Sequence, residues 1–304
     1  MRLLRQALRL PLLIGLLVLG LLMQVLVQPW LGQPWRRRLI GWWSRGLLCA
    51  CGVRLVEVSV PSVATGMSAV ERRPDGTRRG ETATVGAAVG PAGHDQHPLP
   101  DASVASSAAV AGGVPSLATL APGRMLVANH QSWLDIFAIN ALAPSAFVAK
   151  AEIRRWPLVG WLVAMAGTVF IERGRRHAVA DAVQQLRERI RSGYPAAFFP
   201  EAVVHVGPSL KPFHGNLLEA AIAEQAEVIP IGIRYQYDHD GSPGRAAWYD
   251  GELSFARSVM NVLGAADLAV LVHVLPPVTA AGRSRQALAG ALRAQISAAL
   301  GMAD

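Results

Sequence analysis

The sequence predicts an α/β protein: a mixed, mostly parallel sheet flanked by helices, preceded by an N-terminal membrane-anchoring helical segment. Beyond residue 116, short apolar runs alternate with stretches of helical periodicity, the pattern of strands covered by helices. Leu10 to Val27, LPLLIGLLVLGLLMQVLV, is an uncharged run of 18 residues, close to the roughly 20 that a helix needs to cross a bilayer. From Pro61 to Pro115 the chain carries no aromatic residue and no isoleucine, and Leu99 is its one leucine. Such a stretch cannot bury enough to offset its ordering entropy. The expected organisation is an anchor over 1–52 and an α/β domain over 53–304, interrupted by a disordered insertion at about 61–116.

In the anchor, Arg2, Arg5 and Arg9 precede the apolar run, which resembles the basic start of a signal peptide. No small-residue cleavage site follows, and the chain continues into PWLGQPWRRR, which favours a retained anchor. Arg36, Arg37, Arg38 and Arg45 flank the other end, so loop charge sets no direction across a membrane. A second apolar segment, Leu39 to Val53, carries Trp42 and Trp43, residues suited to the headgroup level. A hairpin or surface-lying pair fits this symmetry; a buried helix of the domain is the alternative. Cys49 and Cys51, the two cysteines, read as small buried thiols rather than a metal site or a disulfide framework.

Of the 304 residues 52% are hydrophobic and 16% charged, and the net charge of +8 calls for a negatively charged partner. The arginines clustered beside the anchor favour membrane lipids. No basic helix, RNA-binding signature or zinc-finger spacing points to nucleic acid.

In the domain, VRLVEVSV (Val53 to Val60) and RMLVAN (Arg124 to Asn129) are expected to pair across the insertion. Further strands are expected at Met125–Ala128, Ala146–Lys150, Thr168–Glu172, Ala196–Phe199, Val228–Tyr235 and Leu268–Leu275. Ala178, Ala182, Val183, Leu186 and Ile190 recur at helical spacing, with Gly193 as the stop. Helices are also expected over Asn216–Glu224 and Arg285–Leu300. Trp133 and Phe137 read as packing, His177 as a solvated helix start, and His273 as a satisfied core histidine. His239 carries no partner signal.

The chemistry concentrates in VANHQSWLDIFAI, Val127 to Ile139, where a strand-like run becomes a helix-like one. Polar groups at such a junction are costly unless paired or used. Five positions separate two side chains on a regular helix by roughly 140°, so His130 and Asp135 meet only if the histidine lies in the turn before the helix. Ser132 or Asn129 would cap that helix, and Asp135 would fold its carboxylate back. The aspartate then fixes the imidazole tautomer, and the other ring nitrogen accepts a proton from a hydroxyl. A structural His–Asp pair is the alternative.

NHQSWLD (Asn129–Asp135), GTVFIERGRR (Gly167–Arg176), FFPEA (Phe198–Ala202) with LKPFHGNLLEAA behind it, and VIPIGIRY (Val228–Tyr235) form four ordered blocks. Together they resemble the bacterial lysophosphatidic acid acyltransferase family of glycerolipid synthesis, from Val53 to about Val278 apart from the insertion. The resemblance implies a glycerolipid acyltransferase-like fold. It also implies transfer of an acyl group from acyl-CoA or acyl carrier protein to the free hydroxyl of a lysophospholipid, 1-acylglycerol-3-phosphate first, at the cytoplasmic face of a bacterial inner membrane. No metal, no cofactor beyond that acyl donor and no covalent acyl-enzyme are implied. By the same resemblance His130 is the general base, Asp135 its orienter, Arg173 the cation for the acceptor phosphate, and Pro230 a residue of the acyl-donor side.

The third block departs from the family's F-P-E-G-T: Phe199-Pro200-Glu201 continues as Ala202-Val203-Val204-His205. Glu201 remains as an acceptor-site residue, and Lys211, His214 and His205 are close enough in sequence to compensate for the lost polar groups. Alanine in place of glycine is tolerable there if φ is negative. Pro230, inside a strand, argues for an edge or a bulge. Backbone amides at the start of the helix after His130 are expected to stabilise the oxyanion. The alternatives are acylation of a lyso-ornithine lipid or phosphodiester lysolipid, a thioesterase or phospholipase, and a catalytically silent lipid-binding protein.

Overall fold

The computed structural model describes residues 1–27, 30–60, 116–156, 159–165, 167–172, 177–249 and 253–302. Two helices open the chain, α1 (Arg2–Leu26) and α2 (Gln33–Ala50), followed by β1 (Val53–Ser59). The expected insertion lies outside the described residues. After it come α3 (Leu117–Leu120), β2 (Met125–Ala128), α4 (Asp135–Leu142), β3 (Ala146–Lys150), α5 (Val159–Met165), β4 (Val169–Ile171), α6 (Ala178–Arg191) and β5 (Ala196–Phe198). The chain closes with α7 (Glu219–Ala223), β6 (Glu227–Tyr237), α8 (Phe255–Gly264), β7 (Leu268–Val274), β8 (Val278–Thr279) and α9 (Arg285–Leu300). The helix expected over Asn216–Glu224 divides into a 3-10 turn, Gly215–Leu218, and the single turn and a half of α7.

The strands form one sheet in the order β1-β7-β6-β2-β5-β3-β4, with β8 on β6. β6, β2, β5, β3 and β4 run parallel; β7 and β8 run against β6. The sheet is therefore mixed and mostly parallel. The expected pairing of Val53–Val60 with Arg124–Asn129 does not occur: β1 pairs with β7 at the edge, two strands away from β2. Apolar alternation made both segments strands, and it carries no information about which edge each joins.

Period-two alternation sorts the core. Met125 and Val127 of β2 face one layer with Leu186, Ile190, Leu288 and Leu292 of α6 and α9. Leu126 and Ala128 face the other, with Leu134, Ala138 and Ile139 around α4 and Ile229, Ile231, Ile233 and Tyr235 of β6. Gly193 ends α6 at φ +72, a left-handed stop that only glycine takes without strain.

Pro230 lies in a central strand, not at an edge, and there is no bulge. Its carbonyl accepts from Leu275 N at 3.1 Å, so its nitrogen points to the same side. There β6 changes partner: β8 is paired at Glu227 and Val228, and β7 from Ile231 onward. The missing donor thus falls at the seam between two partner strands, where no ladder bond is forfeited.

α1 and α2 pack side by side. Trp43 Nε1 donates to the Leu16 carbonyl at 2.9 Å, and a Cβ on Gly20 would meet that indole at 2.7 Å. The arginines read as a basic flank are used elsewhere. Arg2 donates to Asn261, Arg5 to the Gly264 carbonyl, and Arg9 to the carbonyls of Leu263 and Ala265, the unsatisfied end of α8. Arg5 and Arg9 thus cap the end of α8, and Arg2 bonds a side chain within that helix, instead of standing free at a membrane surface. On an adjacent face of α1, Leu8, Leu12, Leu19, Leu22 and Leu26 are exposed at helical spacing, and the helix is long and apolar enough to cross a membrane. α2 combines both readings of its segment: Leu47 and Leu48 enter the core, while Trp35 and Trp42 are exposed. Cys51 is buried, which pushes its thiol up to about 12; Cys49, contrary to expectation, is exposed. His273 is not a satisfied core histidine either: among the described residues its buried Nε2 has no partner, and burial holds its pKa below the usual range.

Candidate active site

β2 and β5 are adjacent and parallel, so the loops leaving their carboxyl ends, which carry His130 and Glu201, come together. In open α/β sheets this edge is where ligands bind. Asn129 fixes the end of β2: its side chain accepts from Ile233 N at 2.7 Å and donates to the Ile233 carbonyl at 3.0 Å. It is thereby committed to β6 and does not cap α4. Ser132 Oγ accepts from Leu134 N, at 3.3 Å.

Asp135 opens α4 and folds back as expected, fully buried. Its Oδ2 accepts from His130 Nδ1 at 2.8 Å, Gln131 N at 2.7 Å and Ser132 N at 3.0 Å; its Oδ1 accepts from Tyr235 Oη at 2.6 Å. A carboxylate only accepts, so Nδ1 carries the imidazole proton and Nε2 keeps its lone pair. Among the described residues Nε2 has no hydrogen-bond partner, and the imidazole remains 17% exposed, enough to meet a substrate. The ring stacks on Phe199, with centroids 4.0 Å apart and planes 8° from parallel.

Tyr235 was not singled out from the sequence. The signal was present: Ile229, Ile231, Ile233 and Tyr235 alternate on the face that packs on α4, and a phenol ending such a row needs a buried acceptor. Burial and the adjacent carboxylate push its pKa well above the ordinary value, so it stays a donor to Asp135.

Four of the amides near the start of α4, where an oxyanion site was expected, are already engaged. Gln131 N and Ser132 N go to Asp135, Leu134 N to Ser132, and His130 N to Glu201 Oε1 at 3.0 Å. Glu201 also differs from its expected part. It is buried, and its second oxygen accepts from Lys211 N at 3.1 Å, so the carboxylate ties the loop after β2 to two points of the loop after β5 rather than facing an acceptor. Burial raises its pKa, and the two amides oppose that shift. His205 N donates to the His130 carbonyl at 2.7 Å, and His214 N to that of Pro200 at 2.9 Å. Lys211 and His214 are thus held beside the Phe199–Glu201 turn by their backbones, with exposed side chains. Pro230 pairs with Val127 within the sheet and is buried. Arg173 lies outside the described residues. Trp133 and Phe137 pack as expected, Trp133 Nε1 also donating to Ser258 Oγ at 3.2 Å.

Ala202 has φ +59, the left-handed region, contrary to the negative φ that would make alanine harmless. A Cβ there costs about 1–2 kcal/mol. Ala202→Gly is expected to raise stability by about 1 kcal/mol, a rise in Tm of about 2–4 °C. A thermal melt checks it, and an unchanged or lower Tm contradicts the strain.

Comparison with known proteins adds to this geometry. The sequence profile of the family described as Acyltransferase matches residues 116–234. A lyso-ornithine lipid O-acyltransferase of Pseudomonas aeruginosa is 38% identical over 163 residues, 54% of this chain and 62% of that protein. A protein of the same description from Brucella abortus is 31% identical over 190 residues, 58% of this chain and 70% of that one. A 1-acyl-sn-glycerol-3-phosphate acyltransferase of Neisseria gonorrhoeae is 43% identical over 119 residues, 39% of this chain and 46% of that one. The chain therefore spans about half to two thirds of the length of these relatives. Among solved structures, the 1-acyl-sn-glycerophosphate (LPA) acyltransferase PlsC of Thermotoga maritima superposes with a TM-score of 0.54 over the whole of both chains at 17% identity, a likeness of fold.

Proposed function

The chain belongs to the acyltransferase family, and from that premise we propose that it transfers a fatty acyl group from a thioester donor, acyl-CoA or acyl carrier protein, to the free hydroxyl of a lysophospholipid. The observation that carries this reading is the oriented imidazole: His130 Nδ1 held by Asp135, Asp135 held by Tyr235, and Nε2 open to solvent. Nε2 takes the proton of the acceptor hydroxyl as that oxygen attacks the thioester carbonyl. The carbon–oxygen bond forms, the carbon–sulfur bond breaks, and the proton passes to the departing thiolate. Asp135 balances the imidazolium formed in between. No residue of the chain is acylated, because the acceptor itself is the nucleophile.

The acceptor is 1-acylglycerol-3-phosphate in the first reading and a lyso-ornithine lipid in the second. Val203, exposed where the related block carries a hydroxyl residue, favours an acceptor with less charge than a phosphomonoester. Arg173, Lys211 and His214 are the hydrogen-bond donors proposed for an anionic acceptor. The apolar face of α1 suits a lysolipid arriving from the bilayer, with the site at the cytoplasmic face of a bacterial inner membrane. Offering both lysolipids with radiolabelled acyl-CoA or acyl carrier protein tests the reading. Diacyl product from either acceptor supports transfer and identifies the substrate. Free fatty acid released at the same rate with and without lysolipid overturns it in favour of a hydrolase.

A further inference from the structure

A second concave site lies away from His130. A cleft of about 1250 Å³ lies between α2, the ends of α4 and α6, and Tyr194. α4 starts beside the carboxyl end of β2 and finishes at Leu142, just before β3 begins; Tyr194 immediately precedes β5. The cleft is therefore at the amino edge of the parallel strands, opposite the edge that carries the His130–Asp135 pair.

Four arginines line it, Arg37, Arg38, Arg45 and Arg189, against one acid, Glu188. Arg37 and Arg189 share one ring: their guanidinium carbons lie 5.0 Å and 5.9 Å from the centroid of Tyr194. Two like charges over one phenol repel, and among the described residues neither forms a carboxylate ion pair. An anion bound in the cleft beside these guanidinium groups offsets that repulsion.

The lip of the cleft says which anion. Along α2, Trp35, Arg38, Trp42 and Arg45 occupy positions i, i+3, i+7 and i+10 of one exposed stripe. Arg38 stacks on Trp35 at 4.8 Å, and Trp35 and Trp42 are both 59% exposed. Indole interleaved with guanidinium is the chemistry of the bilayer headgroup layer, where the ring finds apolar depth and the cation finds phosphate. A soluble anion would engage the arginines and leave both indoles in water. Neighbouring α1 exposes an apolar face as well.

We propose that this cleft is a second lipid site, binding the phosphate headgroup of an anionic phospholipid of the bilayer through Arg37 and Arg189, apart from the site of chemistry. It fixes how the chain lies on the membrane and makes its attachment depend on leaflet charge. The proposal goes beyond the acyl-transfer reading, and the readout that decides it, vesicle partition, requires no turnover.

The full chain is offered vesicles of pure phosphatidylcholine and of equimolar phosphatidylcholine and phosphatidylglycerol, and partition is measured by sedimentation. The parent is expected to prefer the anionic vesicles. In Arg37→Gln/Arg189→Gln that preference is expected to fall about 25-fold, given about fivefold for each arginine at an anionic surface. Binding to neutral vesicles and turnover on micellar lysolipid should be unchanged. Arg37→Lys/Arg189→Lys, which keeps both charges, should retain most of the preference, and a melt without vesicles shows that both variants are folded. The proposal is overturned if the folded glutamine pair keeps the parental preference. It is equally overturned if that pair loses binding to an acidic carrier protein while its vesicle partition stays parental, which would make the cleft a protein-docking site.

Discussion

His130→Ala is expected to lower kcat for acyl transfer about 10²- to 10⁴-fold, the usual cost of deleting a general base, with a much smaller effect on stability. The imidazole is partly exposed, and its removal leaves Asp135 with three donors, the amides of Gln131 and Ser132 and the Tyr235 hydroxyl. The structural loss is one charge-assisted hydrogen bond and the stack on Phe199, about 1–3 kcal/mol. Steady-state rates with a lysolipid acceptor, set beside a thermal melt, separate the two effects. A folded variant within a few-fold of parental kcat would remove His130 from the chemistry and leave the pair as a structural feature.

The second large effect is expected at Asp135, where two substitutions divide geometry from charge. Asparagine can still present one oxygen to His130 Nδ1 and to the Gln131 and Ser132 amides while its amide donates to Tyr235 Oη. That orientation is the one the surrounding donors permit. Asp135→Asn should therefore fold, losing about 1–2 kcal/mol, yet lose at least about 10²-fold in kcat, because nothing then balances the imidazolium. Asp135→Ala strands two buried amides and a buried phenol at about 1–3 kcal/mol each, so it is expected to be the least stable of these variants. The His130→Ala/Asp135→Asn double variant should be little slower than His130→Ala alone, because residues that act as one unit are not additive. Near-parental turnover in Asp135→Asn would mean that the negative charge plays no part in catalysis.

The four motif blocks led to the right family, and the strands they contain form where apolar runs end. The misreadings have a common cause. Val53–Val60 was expected to join the neighbouring strand in sequence and instead joined β7; Pro230 was expected at an edge and lies where β6 exchanges β8 for β7. Glu201 was assigned to an acceptor but is turned inward to the amides of His130 and Lys211. In each case the residue type was read correctly, while its partner comes from a distant part of the chain.

The sequence by itself determined the strand and helix periodicities, the apolar first helix, and the meeting of His130 with Asp135, because five residues across a strand-to-helix turn constrain each other locally. Tertiary structure decided what surrounds that pair. Placing β6 beside β2 brings Tyr235 to a carboxylate 100 positions earlier, and packing α1 on α8 turns two apparently membrane-facing arginines, Arg5 and Arg9, into helix caps. Periodicity specifies which face of an element is apolar. Sheet order and helix docking specify what that face meets, and hydrogen-bond partners are fixed only at that level.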